Sequence, residues 1–158
     1  MHIEVIVNTQ TLTLYVEERT LMSFPIATAS KGVGEQNGSE QTPRGWHYIR
    51  AKIGADQPVN TVFVGRRPTG EIYTPDLKAQ APERDWILTR ILWLSGLEPG
   101  RNRLGMVDTM QRYIYIHGCP EEEPMGIPSS HGCIKMHNQD VVRLFDTVTV
   151  GTRVLIKE

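Results

Sequence analysis

Apolar and polar residues alternate from the first positions of the chain: Ile3, Val5 and Val7 are interleaved with His2 and Glu4, and after Asn8-Thr9-Gln10 the residues Leu12, Leu14 and Val16 are interleaved with Thr11, Thr13 and Tyr15. A period of two belongs to a strand with one buried face, so two antiparallel strands joined by a short turn are expected. Residues 21–29 read as a third strand, in which Pro25 has no N–H for a ladder and predicts an edge or a bulge. The alternation then stops. Residues 30–41 (SKGVGEQNGSEQ) carry three glycines among twelve mostly polar positions, the pattern of an exposed loop that can flank a cleft.

Thr42-Pro43-Arg44-Gly45 is a turn, and short strands are expected at residues 46–49 and 62–65. The most apolar stretch is residues 86–94 (WILTRILWL), where β-branched and aromatic side chains followed by Gly96 favour a buried strand over a short helix. Trp86 and Trp93 are read there as core. Residues 112–116 form a further strand ending at His117. Asn138 is a candidate helix N-cap, with Val141, Val142, Leu144 and Phe145 following at helical spacing, and residues 153–157 return to a strand. The fold class is mainly β: one domain over residues 1–158, a mostly antiparallel sandwich or curled mixed sheet with one or two short helices.

The chain has 158 residues, enough to bury a core without metal or disulfide staples. Seventeen Lys and Arg against eighteen Asp and Glu leave a net charge of -1, which removes the basic excess a nucleic-acid partner requires. No apolar run approaches the length of a membrane span, so no membrane insertion is expected. Residues 1–7 lack the basic and apolar regions of a signal peptide, so a cytoplasmic location is expected. Two cysteines, Cys119 and Cys133, are too few for a disulfide scaffold.

Both cysteines end a His-Gly-Cys triplet, His117-Gly118-Cys119 and His131-Gly132-Cys133, joined by a Pro- and Glu-rich connection. A thiol attacks as its thiolate, so a nucleophilic cysteine needs a base or a positive dipole nearby. Cys133 is expected just before the helix, where the dipole favours a thiolate. A sharp turn at residues 130–133 would aim the N–H groups of Gly132 and Cys133 at a developing oxyanion. Cys119 has no comparable setting and reads as a small buried hydrophobe. His47 and His137 are read as surface or packing residues, and Glu121-Glu122-Glu123 as a solvated loop.

Ile116-His117-Gly118 and Ser130-His131-Gly132-Cys133-Ile134-Lys135-Met136-His137-Asn138 resemble the L,D-transpeptidase catalytic domain, or YkuD family. Thr42-Pro43-Arg44-Gly45 is similar to that family's Thr-Pro-x-Gly turn. The resemblance covers most of the chain except residues 66–108. It implies that Cys133 is the nucleophile and His117 its base, held by the Gly118 carbonyl. It also implies that His131 lines the site and that Gly132 and Cys133 supply oxyanion N–H groups. Lys135 stands where the family commonly has arginine, and Cys119 where it has threonine. The implied ligand is a murein stem peptide, a tetrapeptide or muropeptide rich in carboxylates. Lys135 is the first candidate to bind it, Arg112 the second, with Ser130 beside them and Arg44 more remote.

Acyl transfer through a thioester needs no metal or organic cofactor. The expected activity is that of an L,D-carboxypeptidase trimming the terminal D-alanine of recycled murein tetrapeptides. The alternative is transpeptidation, which needs a second stem peptide at high effective concentration. Rival classes are a zinc module using His117, Cys119, His131 and Cys133, whose H-x-C spacings are unusual for such sites, a Cys119–Cys133 redox pair, and a non-catalytic peptidoglycan-binding relic.

Overall fold

The computed structural model describes residues 1–158. The opening alternation becomes β1 (His2–Ile6) and β2 (Thr11–Val16), paired antiparallel with Ile3 opposite Leu14 and Val5 opposite Leu12, all four fully buried. Strand β3 (Arg19–Ala27) pairs with β2 as far as Pro25. Its other edge takes up a partner only at Ile26 and Ala27, so Pro25 lies where no ladder N–H is needed. The remaining strands are β4 (Gly45–Ile53), β5 (Thr61–Val64), β6 (Arg67–Ile72), β7 (Ile87–Gly96), β8 (Tyr115–Gly118), β9 (Ile134–Met136) and β10 (Arg153–Lys157). The helices are α1 (Pro75–Gln80) and α2 (Asn138–Thr147).

These strands form one mixed sheet in the order β4-β10-β1-β2-β3-β9-β8-β7-β5-β6, and β4 also pairs with β7. That last pairing closes eight strands into a ring and leaves β5 and β6 as a hairpin branching from the start of β7. The curled sheet read from the sequence is therefore closed. Two of its pairings, β1 with β10 and β8 with β9, are parallel. Helix α2, packed on β7 and β8, contributes Val141, Leu144 and Phe145 to a core of 19 buried residues that also holds Ile116, Ile134 and Met136.

The apolar stretch at residues 86–94 is a strand rather than a helix, with bounds Ile87–Gly96, and β10 matches its expected bounds. Three local readings are corrected. Arg112 and Tyr113 lie in a turn, with Tyr113 at φ 56, so β8 begins only at Tyr115. The residue capping α2 is His137, without a side-chain cap bond, while Asn138 is helical and buried. Strand β9 separates Cys133 from α2, so the helix dipole, which fades within one turn, does not act on the thiol.

Candidate active site

The parallel register of β8 and β9 sets Ile116 against Ile134 and His117 against Lys135. Side chains alternate along strands, so Ile116 and Ile134 enter the core while Tyr115, His117, Cys133 and Lys135 share the opposite face. That face floors a cleft of about 450 Å³ whose walls include Phe63, Arg66, Asp85, Arg112, Tyr113 and His131. Cys133 and His117 are diagonal neighbours across one strand spacing of about 4.8 Å and two residues of about 3.3 Å each.

The His117 ring is 1% exposed, and its Nδ1 lies 2.6 Å from the Gly118 carbonyl oxygen. A carbonyl only accepts, so Nδ1 carries the proton of the neutral ring and Nε2 keeps its lone pair. Burial lowers the pKa of His117 below the ordinary histidine value, against the opposing pull of Asp85 and the Gly118 carbonyl. The Cys133 thiol is half-buried. Its sulfur accepts from the Tyr115 N–H at 3.3 Å and donates to the Tyr113 carbonyl at 3.4 Å. Burial pushes it up to about 12, an effect the Tyr115 N–H, Lys135 and Arg112 only partly offset. Burial thus works against the thiolate that the sequence reading favoured and against a protonated His117, and no hydrogen bond joins the thiol to the imidazole.

The turn before β9 is fixed by two hydroxyls. Ser130 Oγ donates to the Cys133 carbonyl at 2.5 Å and accepts from the Gly132 N–H at 3.2 Å, while Thr42 Oγ1 donates to the Gly132 carbonyl at 2.9 Å. Gly132 sits at φ +130, a conformation L residues rarely adopt, and a Cβ there would meet Ile114 Cδ1 at 3.1 Å. The Gly132 N–H is thus engaged by Ser130, and the Cys133 N–H is the one left without a partner in the protein. Ser130 is buried and positions the turn; it is not a free ligand for substrate.

Residues 1–156 match the family model of the L,D-transpeptidase catalytic domain, YkuD. The chain belongs to this family. It is 30% identical over 155 residues to the putative L,D-transpeptidase YkuD of Bacillus subtilis, covering 98% of this chain and 65% of that protein. Over 107 residues it is 34% identical to the probable L,D-transpeptidase YbiS of Escherichia coli, covering 65% and 34% respectively. An L,D-transpeptidase from Mycobacterium smegmatis superposes with a TM-score of 0.57 at 20% identity, over 99% of this chain and 58% of that one. The chain spans less than two thirds of the length of these relatives.

In this YkuD-family chain the cationic candidates are differently employed. Lys135, 12% exposed in its side chain, is paired with Glu123 at 2.8 Å. Arg112 is half-buried and spends its guanidinium on the Gly34 and Gln41 carbonyls and Ser39 Oγ, fastening the loop of residues 30–41 to the cleft wall. Arg44 lies outside the cleft, paired with Glu35 and Glu158. His131 is exposed at the cleft margin. In the Glu121–Glu123 run, Glu121 and Glu122 are exposed as read and Glu123 is half-buried, and each also has a partner: Glu121 accepts from Asn138, Glu122 from the Tyr73 hydroxyl and Glu123 from Lys135.

His117, Cys119, His131 and Cys133 do not form a metal cage; no three His, Cys, Asp or Glu side chains anywhere are arranged to hold an ion. The two thiols face different partners, Cys119 donating to the Met136 carbonyl and Cys133 to that of Tyr113. Sequence reading missed Asn138 as a brace. Its amide donates to the Cys119 carbonyl and accepts from Thr89 Oγ1, fixing the strand just after His117. It also missed Thr42, visible only as part of a turn motif, and Arg66 and Asp85, which no local pattern marks.

Proposed function

We propose that the chain is a thiol-dependent L,D-carboxypeptidase that removes the terminal D-alanine from murein tetrapeptides. The observation that carries this reading is the shared face of Cys133 and His117 in one cleft, with Nε2 of His117 free to accept a proton. With burial disfavouring both charged forms, His117 takes the thiol proton at Nε2 as sulfur attacks the peptide carbonyl. The unpartnered Cys133 N–H meets the oxyanion. Collapse gives a thioester, and the proton held on His117 passes to the departing D-alanine nitrogen. Water, deprotonated by the same Nε2, then releases the tripeptide and restores the thiol.

Water as acceptor is supported by a cleft near the small end of the range for bound ligands. Two free thiols suit a reducing cytosol, where soluble muropeptides would be the substrate. Incubation with free tetrapeptide tests the activity. Tripeptide and D-alanine are expected with or without an added amine; cross-linked dimers outweighing tripeptide would make transpeptidation the activity. Recovery of the native protein outside the inner membrane would overturn the cytosolic placement.

A further inference from the structure

We propose that Arg66 is the residue that selects a free C-terminal carboxylate, and so makes the cleft act at chain ends; this rests on the proposed reaction. Three cations line the cleft. Lys135 is neutralised by Glu123, and Arg112 is consumed by loop carbonyls. Arg66 alone has no carboxylate partner and no backbone acceptor; its one hydrogen bond is from Nη1 to the Tyr115 hydroxyl at 3.0 Å.

The chain holds Arg66 in place by an unusual route. Gly65 and Arg66 form the two-residue loop between β5 and β6, with Val64 paired to Arg67, and both sit at positive φ, 57° and 65°. Such a loop favours glycine or asparagine at both positions, yet an arginine occupies the second. Its guanidinium lies over Trp93 and Tyr113, 4.7 and 4.9 Å from the ring centroids. Two aromatic faces and one phenol orient the group without neutralising it, which leaves its other N–H donors for an anion. Tyr115, which holds Arg66 through its hydroxyl, also donates its backbone N–H to the Cys133 sulfur, so the cation and the nucleophile share one residue as support. In a substrate ending in D-alanine the carboxylate lies just beyond the scissile amide nitrogen and its α-carbon, inside the cleft when the carbonyl is at Cys133. A planar guanidinium suits a carboxylate better than an ammonium does.

The test compares a tetrapeptide ending in free D-alanine with the same peptide as its C-terminal amide, using wild type, Arg66→Gln and Arg66→Lys. Wild type should favour the acid by about 10- to 100-fold in kcat/KM, chiefly through KM. Arg66→Gln should bring the acid-to-amide ratio near one, and Arg66→Lys should keep part of the preference. A ratio unchanged in Arg66→Gln, or equal losses on both peptides, overturns the assignment. Binding of both peptides to Cys133→Ala, with and without Arg66→Gln, reads the same selectivity without turnover. If wild type releases no D-alanine, the proposed reaction fails, while acid-selective binding that Arg66→Gln abolishes still upholds Arg66. Equal binding of acid and amide by the Cys133→Ala protein overturns it.

Discussion

The two His-Gly-Cys triplets have identical composition and opposite fates. In His117-Gly118-Cys119 the backbone is extended strand; the histidine is buried, and the cysteine is 1% exposed with its thiol spent on the Met136 carbonyl. In His131-Gly132-Cys133 the backbone turns sharply at Gly132, the histidine is exposed, and the cysteine projects into the cleft. Even the glycines differ in kind. Gly118 is required for space, since a Cβ there would lie 2.3 Å from Asn138 Oδ1 and 2.7 Å from the Leu88 carbonyl, whereas Gly132 is required for its φ. Each triplet yields one half of the proposed reacting pair, His117 from the strand and Cys133 from the turn. The difference teaches that backbone placement, not residue identity, decides which copy of a reactive side chain is available.

The sharpest way to break this comparison is to exchange the roles of the cysteines. Cys133→Ala should lower D-alanine release by at least about 1,000-fold, and His117→Ala by about 100- to 10,000-fold. Cys119→Ser should stay within a few-fold of wild type in the same assay, and loss of activity in that variant would refute the asymmetry.

The glycines separate next. Gly118→Ala forces a Cβ onto backbone and a braced amide and should destabilise the fold by about 2–4 kcal/mol, read as a lowered urea midpoint. Gly132→Ala should cost about 1–3 kcal/mol through backbone strain, with a disproportionate loss of rate because the strained residue directly precedes Cys133, the proposed nucleophile. If both variants lost stability and rate in the same proportion, space and φ would not be distinct requirements.

Acid sharpens the contrast between buried and exposed rings. His47, fully buried between the Gly45 carbonyl and Thr109 Oγ1, is lowered to about 4 by burial, and His117 is lowered in the same direction. The unfolded chain takes up these protons first, so stability is full above pH 6.5 and falls as the pH drops towards 4. His47 alone should account for about 3 kcal/mol of that loss. Chemical denaturation at pH 7 and pH 4.5 measures the fall. Activity should persist below pH 6.5, because His117 remains an unprotonated base there; an acid limb centred at 6.5 would contradict its burial. The smallest expected effect is Cys119→Ser on stability, below about 1 kcal/mol, since a hydroxyl can also donate to the Met136 carbonyl.

Much of this molecule is legible in its sequence where one physical signal dominates. The opening hairpin announces itself by alternation, and β10 and the α2 face by their periods. The placing of His117 and Cys133 in one cleft is legible because glycine-flanked His and Cys are chemically conspicuous. The charges around them are not, because a cation's availability depends on what folds against it. Lys135 is claimed by Glu123 from the β8–β9 connection, and Arg112 by carbonyls far earlier in the chain. The expected closeness of Cys133 to the helix failed for a similar reason: Ile134–Met136 is too short to show a period, yet β8 and β3 recruit it as a strand.

The closed ring also sets a timetable. Strand β10 fits between β1 and β4, the first and fourth of these ten strands to be translated, yet it is itself the last of the ten. At about 5–20 residues per second, a ribosome needs roughly 10–30 s to pass from β1 to β10. Throughout that interval the outer edges of β1 and β4 are bare ladders, open to any neighbouring strand. The finished fold has sealed this seam; the nascent chain lives with it open.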